Sequence, residues 1–168
     1  SYSNQNEHDK SIKYYDFVLQ IDPINFLALI GKANSLSGLK KYHDANIILD
    51  KTLDIYPNNP YALSEKGLIL LNLNQSNNSK DLFIEALNLE NYTYTCPYEG
   101  LGIVYYKQGD FINAKKNLDK SIEINPNIEF KKYNTLAKIY IKEGNISYAK
   151  ILLNKSIQNF PYNKEAKE

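Results

Sequence analysis

Residues 98–126 read YEGLGIVYYKQGDFINAKKNLDKSIEINP, and the fold can be read from this stretch. Apolar residues recur at helical spacing on both sides of Gly109. This predicts one helix over 95–108 and a second over 111–124. Gly109 tolerates the left-handed backbone that ends many helices. Pro126 stops the second helix, because proline lacks an N–H and restrains the residue before it. The same punctuation recurs outward from this unit. Pro23 and Pro57 lie 34 residues apart, Pro126 and Pro161 lie 35 apart, and Asn91 holds the equivalent place between Pro57 and Pro126. Paired apolar patterns accompany it at 26–39 and 42–55, 60–73 and 76–89, and 130–143 and 146–159. A self-similar period of this length marks a helical repeat.

The quoted segment resembles the tetratricopeptide repeat (TPR), whose consensus reads W-x2-L-G-x2-Y, then A-x3-F, then P. Tyr98 stands at the first aromatic position, followed by Leu101-Gly102, Tyr105, Ala114, Leu118 and Pro126. The resemblance implies an all-α fold, a right-handed superhelical solenoid of antiparallel helix pairs. Two helices that cross closely need small residues where their backbones meet. Ala33, Gly67, Gly102 and Ala137 fill that role in the first helices, and Ser11, Ala45, Ser79, Ala114 and Ala149 in the second. Large residues recur beside them, such as Tyr15, Leu49, Phe83, Leu118 and Leu153 in the second helices. The turns inside the repeats fall at Asn6, Lys40, Asn74, Gly109 and Gly144.

In register, the chain reads as a single TPR domain fragment. Residues 1–23 are a partial repeat holding a second helix, and 24–57, 58–91, 92–126 and 127–161 are complete repeats. Residues 162–168 begin a further helix. Absent polar caps at the ends suggest a piece of a longer array. The unpaired helix near 8–21 is then expected to expose Ile12, Tyr15, Val18 and Leu19, so that self-association through exposed array ends is a second expectation. Two departures stand out. Lys32 and Lys66 occupy the position of Leu101 and Leu136, where their stems are expected to pack while the amines reach water. The stretch from Asn91 to Pro97 is one residue longer than the regular spacing, with Thr95 expected to cap the helix that follows.

Composition narrows the function. A formal net charge of +1 argues against nucleic acid as the main partner. Core positions account for many of the 15 tyrosines without base stacking. No apolar run is long enough to span a membrane. The single cysteine, Cys96, forms no internal disulfide and favours a reducing, cytoplasmic setting. It reads as a half-buried residue at a helix start. His8 and His43 sit near the starts of second helices about one repeat apart, and read as outward polar residues and not as metal ligands. Gly100-Leu101-Gly102 lacks the preceding strand a dinucleotide loop requires. No catalytic constellation, metal site or cofactor is expected.

What remains is recognition. In the family, concave-facing residues of the first helices bind peptides. Carried over, those positions give Asn34, Tyr61, Leu68 and Leu71, then Ile103 and Tyr106, then Lys131, Asn134 and Lys138. Leu27, Ile30, Glu65, Asn72, Glu99, Lys107 and Ile141 fall on the same face. The family's Lys/Asn clamp for a chaperone carboxylate is not matched, since Ile30 and Glu65 occupy two of its positions. The expectation is a non-enzymatic scaffold that binds a peptide or helix segment of another protein in a concave groove. The alternative is a regulatory or targeting arm of a larger enzyme.

Overall fold

The computed structural model describes residues 2–89, 95–127 and 131–161, with side chains from residue 5 onward. Among these residues are nine α-helices and no strand. They are α1 (Tyr2–Ile21), α2 (Phe26–Gly38), α3 (Tyr42–Ile55), α4 (Pro60–Asn72), α5 (Ser76–Asn88), α6 (Cys96–Gln108), α7 (Phe111–Ile124), α8 (Lys131–Lys142) and α9 (Ile146–Asn159). The chain forms two compact units, Ser1–Tyr92 with α1–α5 and Thr93–Glu168 with α6–α9. In the first, α2 pairs with α3 and α4 with α5, while α1 packs on α2 and α3 on α4. In the second, α6 pairs with α7 and α8 with α9, while α7 and α6 both reach α8. Residues 90–94, within the irregular joint read from the sequence, and the stub at 162–168 lie outside the described residues.

Each turn inside a pair is built the same way. Lys40, Asn74, Gly109 and Gly144 all take φ between 60° and 79°. The next residue's N–H returns to a carbonyl five residues back, as Lys41 does to Leu36 and Asp110 to Tyr105. This satisfies carbonyls that the helix end would otherwise leave unpaired. Asp110 and Asn145 then cap the following helices with their side chains, at 3.1 Å and 3.2 Å. Lys41 and Gln75 hold the same place with no side-chain cap. The turn expected at Asn6 is absent, because α1 runs unbroken from Tyr2 to Ile21. Asn tolerates a left-handed turn but does not impose one, and neither Gly nor Pro interrupts this segment.

The small positions lie where the helices cross. Ala33, Ala45, Ala114 and Ala137 are fully buried. At Gly67 an added Cβ would stand 2.6 Å from the Phe83 ring, and at Gly102 it would stand 2.4 Å from Leu118. Ser79 Oγ donates to the Gly67 carbonyl at 2.8 Å, tying α5 to α4. Two expectations are corrected here. The Lys32 and Lys66 amines do not simply reach water, for they pair with Asp16 at 2.6 Å and Asp50 at 2.5 Å on the preceding second helix. Nor does α1 expose the residues expected. Ile12, Tyr15, Val18 and Leu19 are half-buried, with Tyr15 against Gly31, while Tyr14, Phe17 and Ile21 face solvent. The expected set takes the side that α2 covers.

Candidate functional site

Five of the nine residues singled out in the sequence come together in one groove of the second unit. Its walls are two first helices in contact, α6 and α8. Spacings of three and four residues place Ile103, Tyr106 and Lys107 on one face of α6. The same spacing places Lys131, Asn134, Thr135 and Lys138 on one face of α8. The groove holds about 280 Å³. Ile103 and Tyr106 are half-buried, and Lys107, Lys131 and Lys138 are exposed. Asn134 is only 3% exposed, and its Oδ1 accepts a hydrogen bond from Ser156 Oγ at 3.1 Å. It therefore acts as floor more than as reach. No carboxylate is among the lining residues, which leaves three lysines above an apolar base.

Two features of this wall escaped the sequence reading. Lys142 lies 5.0 Å from the centre of the Tyr106 ring and 5.3 Å from that of Phe111, so the cation holds the aromatic pair in place. Thr135 completes a stripe of Lys131, Thr135 and Lys138 at i, i+4 and i+7, a signal that was present in the sequence. Neighbouring Lys132 behaves differently. It is fully buried and donates through Nζ to the Asn125 carbonyl, which pins the start of α8.

In the first unit, Asn34 belongs to α2, and Tyr61, Leu68 and Leu71 to α4. Asn34, Tyr61 and Leu68 are half-buried, whereas Leu71 is 6% exposed and offers little surface to a ligand. Ile30 and Glu99, assigned to the same concave face, are buried as well. A separate cleft of about 450 Å³ lies between α3, α4 and α5 around the Asp50–Lys66 pair.

A protein-family model, the tetratricopeptide repeat, matches residues 97–128, which take in most of α6, one wall of this groove, and all of α7. Beyond that stretch the chain is similar to TPR proteins. TPR repeat-containing protein MJ1428 of Methanocaldococcus jannaschii is 27% identical over 113 residues, covering 67% of this chain. The match takes in only 20% of that relative's length. Among solved structures, TTC0263, a thermophilic TPR protein in Thermus thermophilus, gives a TM-score of 0.82 at 15% identity. The match covers 96% of this chain and 88% of that one. YrrB, a TPR protein with an unusual peptide-binding site, gives 0.64 at 22% identity, covering 98% and 84%. At these identities the solved structures establish the fold, an all-α helical repeat array.

The remaining TPR positions carry little chemistry. Among the described residues no group of three or more His, Cys, Asp or Glu is placed to hold a metal, and no helix is long and apolar enough to cross a membrane. Cys96 opens α6 and is half-buried, as expected, and Pro97 sits in the first turn. Thr95 precedes them in helical conformation and makes no side-chain cap. His43 is exposed at the start of α3. His8 is not an outward residue at a helix start, since it lies within α1 and its ring packs against Gly38. A further charge coupling joins α7 to the turn after α8. Lys115 Nζ donates to Glu143 at 2.7 Å and 2.9 Å, and this bond raises the amine above its ordinary range. Asp119, one turn on, is pushed up by desolvation, which the nearby Lys115 partly offsets.

Proposed function

We propose that the chain is a protein-binding module, without chemistry of its own, whose α6–α8 groove takes a short acidic segment of another protein. One observation carries this reading: three lysines rim an apolar base of Ile103 and Tyr106, with no carboxylate among the lining residues. A peptide that alternates large apolar and acidic side chains meets both demands, its apolar face on Tyr106 and its carboxylates toward Lys107, Lys131 and Lys138. The groove is short, so its affinity depends on a few anchors and not on area. Tyr106 is the main anchor, held by Phe111 and Lys142.

Selection from a random displayed-peptide library on the 168-residue chain tests this reading. Recovered peptides should be rich in Asp or Glu beside Phe, Leu or Ile. Charge reversal at Lys131→Glu with Lys138→Glu should weaken them by about tenfold or more, as expected for two rim charges of ~1 kcal/mol each. Tyr106→Ala should cost about as much again, near the ~2 kcal/mol typical of an aromatic anchor. Peptides without acidic bias, or peptides that bind the charge-reversed variant unchanged, would sink the proposal.

A further inference from the structure

The cleft between α3, α4 and α5 has a counterpart in the second unit, and the two are filled differently. In register, Asn46, Asp50, Leu70 and Asn78 correspond to Lys115, Asp119, Tyr140 and Tyr148. Around α7, α8 and α9 the chain's own side chains take the place. The Tyr140 and Tyr148 rings meet edge to face at 4.7 Å. The Lys115 ammonium lies 5.2 Å from the centre of the Tyr140 ring while it pairs with Glu143. Its charge also offsets the desolvation that pushes up the Asp119 carboxyl. Around α3, α4 and α5 a leucine and two amides replace those rings and that cation, and about 450 Å³ stays open.

The lining of this opening suits a cation with several N–H groups. The Asp50 carboxylate is held by Lys66 at 2.5 Å and by Asn46 Nδ2 at 2.9 Å, which makes it a fixed acceptor with lone pairs to spare. Asp81, exposed on α5, adds a second carboxylate, so one lysine stands against two aspartates among the lining residues. Asn46 Oδ1 is buried and accepts no hydrogen bond, which leaves the place short of donors. Leu70 and Leu82 offer an apolar wall to an alkyl stem. The chain itself contains no arginine. We propose that this cleft is a binding site of its own, apart from the α6–α8 groove, and that it takes an arginine side chain from an exposed segment of a partner protein. Lys115 shows within the same molecule that the equivalent place accommodates a cation on an alkyl stem. A guanidinium suits the open version better than an ammonium, because its planar fork of donors serves acceptors on two walls, Asp50 of α3 and Asp81 of α5.

The side-chain amides of Asn46, Gln75 and Asn78 line the cleft, so their signals in a nitrogen-15 NMR titration of the 168-residue chain read it directly. The probe is a blocked glycine–arginine–glycine tripeptide, run beside its citrulline and lysine counterparts. The arginine probe should shift those amides saturably with a millimolar dissociation constant, the scale of one charged side chain. Citrulline keeps the shape and loses the charge, and should bind at least about tenfold more weakly. Asn46→Lys gives the cleft the chain's own ammonium, as at Lys115, and should abolish binding without lowering the melting temperature. Asp81→Asn should weaken binding by about tenfold and leave the fold intact, since Asp81 is exposed. Shifts that do not saturate overturn the proposal, as do citrulline or lysine probes that bind as tightly as arginine. Variants Asn46→Lys and Asp81→Asn that both bind like the wild type overturn it too. The Lys131→Glu, Lys138→Glu variant should bind the arginine probe unchanged, which keeps failure here separate from failure of the α6–α8 groove.

Discussion

Single residues show where the repeat is strict and where it is loose. Thr52, Ala86, Ser121 and Ser156 hold one equivalent position and are all fully buried. Thr52 donates to the Ile48 carbonyl and Ser156 to Asn134, but Ser121 Oγ has no partner. A buried, unmatched hydroxyl costs about 1–3 kcal/mol, so Ser121→Ala should stabilise the chain by roughly 1 kcal/mol in denaturant unfolding. Ala86 already fills the same site without loss. A midpoint that falls would mean that the hydroxyl finds a partner in solution. Small residues at helix crossings were legible from the sequence, because Gly, Ala and Ser recur there. Which crossings demand Gly was not, since that depends on the shape of the ring or branch opposite, Phe83 at Gly67 and Leu118 at Gly102.

At the scale of helices, the informative feature is the pair of ionic joints. Asp16–Lys32 and Asp50–Lys66 each link a second helix to the first helix of the next repeat. Both are partly solvated, so the expected stabilisation is small. A double-mutant cycle of Asp50→Ala and Lys66→Ala should give a coupling of about 0.2–1 kcal/mol that shrinks as salt is raised. A coupling unmoved by salt would argue that Lys66 works through its apolar stem instead. The sequence showed Lys where later repeats have Leu, but not the carboxylate that answers it 16 residues earlier. Helix ends were legible to within one residue because proline and left-handed turn residues mark them. The exception is the start of α1, where helix formers and polar residues run on without a break. Likewise, the groove residues of α6 and α8 came from the resemblance to the repeat consensus, whereas the burial of Leu71 and Asn134 depends on neighbouring helices that the consensus does not locate.

For the molecule as a whole, stability in a repeat array is a sum over neighbours. Each unit holds its own core, one around Leu49 and Ala33, the other around Leu118 and Leu136. Leu49→Ala should cost about 2–5 kcal/mol. Native-state hydrogen exchange should report that loss in α1–α5 while α6–α9 keep their protection. Equal losses in both would mean that the two units open as one. The ionic joints also bear on how such a chain can be inherited. Excising one 34-residue period between Asp16 and Lys66 would bring those two residues into the same relation that each now has with its own partner. Splicing the repeat that carries Leu136 into that place would set an aliphatic side chain where Asp50 requires a cation. Recombination can thus shorten or lengthen the N-terminal half freely, but it cannot reorder the repeats without stranding a charge.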